Sequence, residues 1–182
     1  VKNWYPLPKV DELMDRLYGA RYFTKLDPSS GYHQIRVKEA DIHKTAFVSR
    51  YGLFEYTVMP FGLCNAPATF QRIMNHLLRD SLDEFVLVFL DDILIYSRTK
   101  EEHLRHIKVV LKKLQDEKFY GRLKKCDFFK KEVEYLGFDM GEYGLKPSLS
   151  KINAILKWPT PQSVTDVRSF LGLANFYQKF VR

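Results

Sequence analysis

The sequence predicts a mixed fold in which helices and strands alternate along the chain. Two observations carry this. Short apolar runs end abruptly at Asp, Pro, Ser or Gly, as in RYFTKLDPSSG and EFVLVFLDDILIYS, which marks strands closed by turns. Longer segments space their apolar residues three or four apart, which marks helices with one buried face. No internal repeat or low-complexity stretch interrupts the pattern.

Taken in order, Tyr5-Pro6-Leu7-Pro8 is an extended entry, because each proline restricts the residue before it. Lys9–Leu17 is a helix with Val10, Leu13, Met14 and Leu17 on one face. Arg21–Leu26 is a strand ending at Asp27, broken by Pro28, Ser29, Ser30 and Gly31. His33–Val37 and Lys44–Val48 are a second pair of strands, with a turn at Tyr51-Gly52 and a further strand over Leu53–Val58. Asn65 caps a helix with Pro67 in its first turn, running to about Leu78 and burying Phe70, Ile73, Met74 and Leu77. Phe85–Val88 leads into Asp91-Asp92 and Ile93–Tyr96 leads out, a hairpin with both aspartates at its tight turn. Thr99 caps the next helix, whose stripe is Leu104, Ile107, Leu111 and Leu114 and whose Glu101 and Glu102 suit the positive end. Val133–Phe138 and Met140–Lys146 form a final hairpin around Gly141. Trp158-Pro159-Thr160-Pro161 breaks the chain, and Ser163 with Asp166 three residues on opens a helix carrying Val167, Phe170, Leu171, Ala174 and Phe176. The last stretch is therefore two helices.

Composition sets the broad class. A hydrophobic share of 46% and an aromatic share of 15% exclude a disordered chain. The net charge of +7 suits a polyanionic partner, although many soluble proteins share such a balance. Cys64 and Cys126 make neither a disulfide framework nor zinc spacing, and read as reduced thiols in an intracellular setting. No apolar stretch is long enough to span a membrane, and the N-terminus lacks a signal-peptide core. The absence of an initiator Met is what a piece of a longer polyprotein would show.

The adjacent carboxylates Asp91 and Asp92 carry the chemistry. Two carboxylates at the lip of a buried hairpin repel unless cations neutralise them, and Mg²⁺ takes oxygen ligands while leaving room for phosphates. The bland alternative is a solvated Asp-Asp turn, since Asp is a common turn residue. Asp27 weighs against it. It ends another strand, and side-by-side pairing brings it against Asp91, a cluster able to hold two metal ions for phosphoryl transfer.

The strings WYPLPKVDELMDRLYGARYFTKLD, SGYHQIRV, KTAFVSRYGLFEYTVMPFGLCNAPATFQRIMN, FLDDILIYS, LKKCDFFKKEVEYLGF and GLKPSLSKINAILKWPTP, with RSFLGLANFYQKFVR at the end, run almost the full 182 residues. In this order they resemble the reverse transcriptase of Gypsy-type (Metaviridae) LTR retrotransposons. That resemblance implies an α+β right-hand polymerase palm, a small antiparallel sheet packed on helices, with partial fingers and the start of a helical thumb. It divides the chain into palm at 1–34, fingers at 35–65, palm with the primer-grip hairpin at 66–146, and thumb from 147 to 182. It implies an RNA-directed DNA polymerase that joins deoxynucleoside triphosphates to a primer on an RNA or DNA template, with two Mg²⁺ ions or Mn²⁺ in their place.

Residue by residue, the resemblance makes Asp27, Asp91 and Asp92 the catalytic, metal-binding carboxylates, Asp92 the more peripheral, with the Pro28 carbonyl as a further oxygen. Pro28 departs from the aliphatic residue usual there. Tyr32 takes the place of the sugar-gate aromatic, with a core tyrosine as the alternative. Phe61 packs on the incoming nucleotide, Gly62 lets the backbone approach the template pair, and Phe89 flanks the primer end. Asn65, Thr69 and Gln71 touch template or primer, unless Asn65 only caps its helix. Lys125 donates a proton to pyrophosphate, with Lys124 an equal candidate and a solvated basic face the alternative. Tyr135, Leu136 and Gly137 resemble the primer grip. RNase H and integrase regions continue the polyprotein, and the setting is cytoplasmic, within virus-like particles, with no membrane partner. Because a basic fingers segment precedes the WYPLP string in such elements, residues 1–182 alone are expected to synthesise little. Two readings from other classes stand beside this one: an inert palm-like module that binds nucleic acid, and an unrelated α+β interaction domain.

Overall fold

A computed structural model of the chain describes residues 10–28 and 30–180. The expected extended entry at residues 5–8, Lys9 of the expected first helix, and Ser29 lie outside them. Among the described residues no helix is long and apolar enough to cross a membrane.

Helix α1 (Val10–Leu17) leads to strand β1 (Tyr22–Leu26). Two short 3-10 helices, Gly31–Gln34 and Glu39–Thr45, follow, and then a hairpin of β2 (Phe47–Ser49) and β3 (Gly52–Phe54). Helix α2 (Ala66–Leu77) precedes the central hairpin of β4 (Val86–Phe89) and β5 (Asp92–Ser97). Helix α3 (Lys100–Asp116) then crosses back to β6 (Asp127–Lys130). Strands β7 (Glu132–Tyr135), β8 (Phe138–Gly141) and β9 (Gly144–Pro147) form a meander, followed by α4 (Leu149–Leu156) and α5 (Val164–Phe176).

The main sheet has the order β4-β5-β1-β6, and its neighbours pair antiparallel. Alternate side chains of a strand face opposite sides. Along β5 this sends Ile93 and Ile95 into one core with Phe70, Met74, Ile107 and Val110 from α2 and α3. It sends Leu94 and Tyr96 into a second core with Phe23, Val133, Tyr135, Phe138 and Met140. The sheet is thus a middle layer, with α2 and α3 on one face and the meander, joined by Leu17 of α1, Ile155 of α4 and Leu173 of α5, on the other.

A buried polar chain fastens α3 to this layer. His103, with none of its surface exposed, shares hydrogen bonds of 2.8 Å with Thr24 of β1 and Ser97 of β5. Ser97 also meets His106 Nδ1 at 2.8 Å, and the Phe129 N–H donates to the Thr24 hydroxyl at 3.2 Å. His103 therefore joins the helix to β1 and β5 and, through Thr24, to β6. Burial pushes its pKa down to about 4, with His106 adding to the effect.

Several expectations hold. The Thr99 and Ser163 capping boxes form with Glu102 and Asp166. Others are corrected. His33–Val37 is not a strand: Ser30 has φ 49, the chain coils into Gly31–Gln34, and only an isolated Arg36–Val58 bridge remains. That coil presses against α2, since a Cβ on Gly31 would lie 2.7 Å from the Phe70 ring. Lys44–Val48 becomes a strand only from Phe47 onward. Thr45 keeps the preceding residues coiled by donating to the Ile42 carbonyl at 2.7 Å, a local bond that competes with a ladder. Leu53–Val58 is extended in the sheet only to Phe54. Asn65 stands at the N-cap of α2 without a side-chain capping bond. The buried face of α3 is His103, Ile107 and Val110, with Leu114 partly buried; of the expected stripe Ile107 and Leu114 face the core, while Leu104 and Leu111 are 45% and 43% exposed. The polar bonds of His103 rotate the helix away from the simplest apolar pattern. The final hairpin is a three-stranded meander turning at Leu136-Gly137 and Glu142-Tyr143, with Gly141 at the end of β8.

Candidate active site

The β4–β5 register pairs Phe89 with Asp92, leaving a two-residue turn of Leu90 and Asp91. Asp91 is therefore in the turn, while Asp92 opens β5, a correction to the expectation that both sit in the turn. Leu90 has φ 50, a region unfavourable for a bulky residue and tolerated where surrounding contacts hold it. Gln71 of α2 supplies such contacts. Its side-chain oxygen accepts from the Leu90 N–H at 2.6 Å, and its amide donates to the Val88 carbonyl at 3.0 Å. Gln71 is 1% exposed and also donates to Asn75 at 2.8 Å. It braces the turn from within the core, where the sequence led us to expect contact with nucleic acid.

Strand β1 pairs Leu26 with Ile93, so Asp27 continues the register opposite Asp92. The Asp27 backbone is held on its other side. Its N–H donates to Cys126 Sγ at 3.5 Å, and its carbonyl accepts from the Arg122 N–H at 3.0 Å. Pro28 is buried and forms an isolated bridge with Gly121.

Two lysines compensate two of the carboxylates. Lys125 Nζ lies 3.6 Å from Asp27 Oδ2, and Lys25 Nζ lies 3.1 Å from Asp92 Oδ1. Asp91 differs. Its Oδ1 is buried without a hydrogen-bond partner. Its pKa is raised, first by burial and then by the charges of Asp92 and Asp27. Among the described residues no group of three His, Cys, Asp or Glu forms a ready-made ligand set. The orphaned oxygen of Asp91, beside two further carboxylates, nonetheless has the hard-oxygen chemistry that a divalent cation satisfies.

Tyr32 adjoins this corner. It is 7% exposed, with ring centroids 5.0 Å from Phe61 and 5.5 Å from Phe70, and its pKa is raised by burial and then by Asp91. Phe61 is 61% exposed and also meets the His33 ring edge-on at 5.3 Å. Gly62 has φ 98 and open space where a Cβ would stand. Gln34 pairs with the Tyr120 backbone in both directions, at 2.9 and 2.8 Å. Phe89 packs against the meander core. The fold thus gathers Asp27, Asp91, Asp92, Tyr32, Phe61 and Lys125 at one end of the sheet. Of the two candidate lysines, Lys125 is the one paired to a carboxylate of the site.

Three participants are absent from the sequence-based expectations in these roles: Lys25, Cys126 and Gln71. Lys25 had a signal. It lies two residues before Asp27, hence on the same face of β1, and Asp92 is its diagonal neighbour across the strand pair. The clamp by Gln71 and the support from Cys126 depend on tertiary packing and have no local signature.

An antiparallel sheet tipped by a carboxylate hairpin, backed by two helices, is the architecture of a polymerase palm. Solved structures share it. The chain matches a foamy viral protease–reverse transcriptase in complex with double-stranded DNA at a TM-score of 0.87 and 26% identity, over 97% of this chain and 31% of that one. A complex of the foamy viral protein with RNA/DNA hybrid matches at 0.81 and 26%, over 94% of this chain and 23% of that one. Residues 1–140 match the family model of reverse transcriptase (RNA-dependent DNA polymerase), and the chain belongs to that family. It is 46% identical over 181 residues to the retrovirus-related Pol polyprotein from transposon 297 of Drosophila melanogaster, covering 100% of this chain and 17% of the polyprotein. It is 40% identical over 179 residues to the transposon Tf2-3 polyprotein of Schizosaccharomyces pombe, covering 98% of this chain and 13% of that polyprotein. The chain therefore spans a small part of the length of the curated relatives it matches. Members of the family generally use divalent metal ions.

Proposed function

We propose that the chain is the palm-centred segment of an RNA-directed DNA polymerase carried by a Gypsy-type retrotransposon polyprotein. In it, residues 1–34 and 66–146 serve as palm, 35–65 as fingers, and 147–182 as the first part of the thumb. The observation that carries the reading is the buried, unpartnered oxygen of Asp91 beside Asp27 and Asp92 at the end of the central sheet.

Asp27 and Asp91 would hold two Mg²⁺ ions, with the Pro28 carbonyl as a further oxygen and Asp92 at the periphery. Such a pair of ions supplies charge stabilisation to the attacking and departing oxygens of an in-line phosphoryl transfer. The chain's own residues set the geometry. Gln71 keeps the turn of Leu90 and Asp91 in place, and Cys126 and Arg122 fix the Asp27 backbone. Tyr32, braced by Phe70 and flanked by the exposed Phe61, offers a wall against which a deoxyribose fits and a 2′-hydroxyl collides. Lys125 Nζ, mostly exposed beside Asp27, is placed to give a proton to departing pyrophosphate. The substrates are deoxynucleoside triphosphates and a primed RNA or DNA template. The foamy viral relatives in complex with double-stranded DNA and RNA/DNA hybrid support that choice of polymer.

The test is Mg²⁺-dependent primer extension by a polyprotein segment that contains this chain, with and without Asp91→Asn. Loss of several kcal/mol of transition-state stabilisation at about 1.4 kcal/mol per tenfold predicts a fall of about a thousandfold or more. Near-normal extension by a folded Asp91→Asn variant would refute the assignment.

A further inference from the structure

Lys25 stands among the catalytic carboxylates, and the phosphoryl-transfer scheme gives it no part. It projects from β1 toward the meander, with its side chain 24% exposed, and its ammonium meets Asp92 Oδ1 at 3.1 Å. The same ammonium donates to the Glu134 carbonyl of β7 at 3.5 Å. Asp92 is held a second time, because the hydroxyl of Tyr135, 1% exposed, donates to the Asp92 carbonyl at 3.5 Å. Asp92 is thus tied to β1 and to the meander at once. Asp91, one residue earlier, has a buried carboxylate oxygen with no partner. Asp27 also has an ammonium near it, but Lys125 lies 3.6 Å away with its side chain 58% exposed, whereas Lys25 is closer, 24% exposed and held from its other side by β7.

We propose that Lys25 is a positioning residue that acts as a built-in counter-cation. It commits the Asp92 carboxylate to the protein and cancels its charge, so that the divalent ions are held by Asp27 and Asp91, and it thereby sets how tightly the site binds them. The inference rests on the proposed cation site and adds to it an internal regulator of affinity. Three carboxylates sharing one corner would bind divalent ions more tightly but would lose the distinction between ligand and support. A fixed ammonium beside one of them weakens cation binding by charge repulsion and keeps its carboxylate out of the coordination shell.

The experiment is a Mn²⁺ titration of the 182-residue chain, read by the electron paramagnetic resonance of free Mn²⁺, with no nucleotide or nucleic acid present. Circular dichroism of each variant confirms the fold. Lys25→Met removes a positive charge, and binding should tighten on the order of fivefold. Lys25→Arg keeps charge and reach, and should stay near the unaltered chain. Asp92→Asn leaves Lys25 uncompensated, and binding should weaken by a similar factor. The double variant Lys25→Met with Asp92→Asn replaces a neutral pair by a neutral pair, and its affinity should return to within about twofold of the original. If Asp92 is itself a ligand, the double variant stays well below the affinity of the original chain because the lost coordination is not restored by removing the lysine, and the inference is overturned. Affinity that Asp91→Asn abolishes but Lys25→Met leaves unchanged also overturns it, while sparing the cation site. A chain that takes up no Mn²⁺, with Asp91→Asn no different, sinks the cation-site reading and this inference with it.

Discussion

His103 makes the stability of this fold depend on pH in a direction that can be worked out beforehand. Its pKa falls from the ordinary 6.5 to about 4 because burial disfavours the charged ring. Between those values the unfolded chain binds a proton that the folded chain does not, so stability rises with pH across the window. The contribution is fully present above pH 6.5, declines as pH falls, and is gone below about 4. The whole gap corresponds to about 3 kcal/mol, of which about 2 kcal/mol is lost between pH 7 and pH 5. Against a typical domain stability of about 5–15 kcal/mol this is large. The assay is urea unfolding at pH 7 and pH 5 for the chain and for His103→Asn, which keeps a polar side chain but does not titrate. The variant is less stable at pH 7, and it should lose about 2 kcal/mol less than the unaltered chain on going to pH 5. His106, whose pKa is also lowered by burial, titrates in both proteins and shares Ser97 with His103, so His106→Asn and the double variant complete the cycle that isolates the His103 part. An equal pH response in the two would refute the reasoning.

The remaining outcomes concern the candidate active site. Tyr32→Ala should raise the kcat/KM of ribonucleotides relative to deoxynucleotides, whereas Tyr32→Phe, which keeps the ring between Phe61 and Phe70, should leave the ratio unchanged. An unaltered ratio for Tyr32→Ala would make it a core tyrosine and nothing more. Gln71→Leu strips the Leu90 N–H and the Val88 carbonyl of their partner, and should cost about 1–3 kcal/mol in urea unfolding. It should also slow primer extension by up to about a hundredfold through misplacement of Asp91. Slower extension without any loss of stability would point to direct contact between Gln71 and nucleic acid instead.

Much of this arrangement is legible in the sequence, for reasons that differ by element. The hairpin around Asp91 and the strand before Asp27 announce themselves because apolar runs end at turn residues, although the register, which moves Asp92 out of the turn, does not. The caps at Thr99 and Ser163 are local chemistry and form as expected. What stays hidden is non-local. The face of α3 is turned by His103, a polar residue that earns burial only because Thr24 and Ser97 lie 2.8 Å away in the fold. The expected strands His33–Val37 and the start of Lys44–Val48 do not form, since Gly31 packs on Phe70 and Thr45 bonds to its own backbone neighbourhood. Gln71 looks like a surface residue of an amphipathic helix until the turn it braces is in view.

Strand β5 is covered on both faces, by Ile93 and Ile95 toward one core and by Leu94 and Tyr96 toward the other, and is paired along both edges by β4 and β1. To open any part of it, both cores must part together, so its local opening free energy approaches that of the whole fold. Asp92 begins this strand and Asp91 immediately precedes it. The carboxylates are therefore anchored to the portion of the molecule that yields last, while compliance is left to the exposed hairpin β2–β3, where Val48, Tyr51 and Leu53 are 80%, 75% and 67% exposed. The spacing of Asp91 and Asp92 is thus tied to the stiffest strand pair of the sheet rather than to the exposed hairpin.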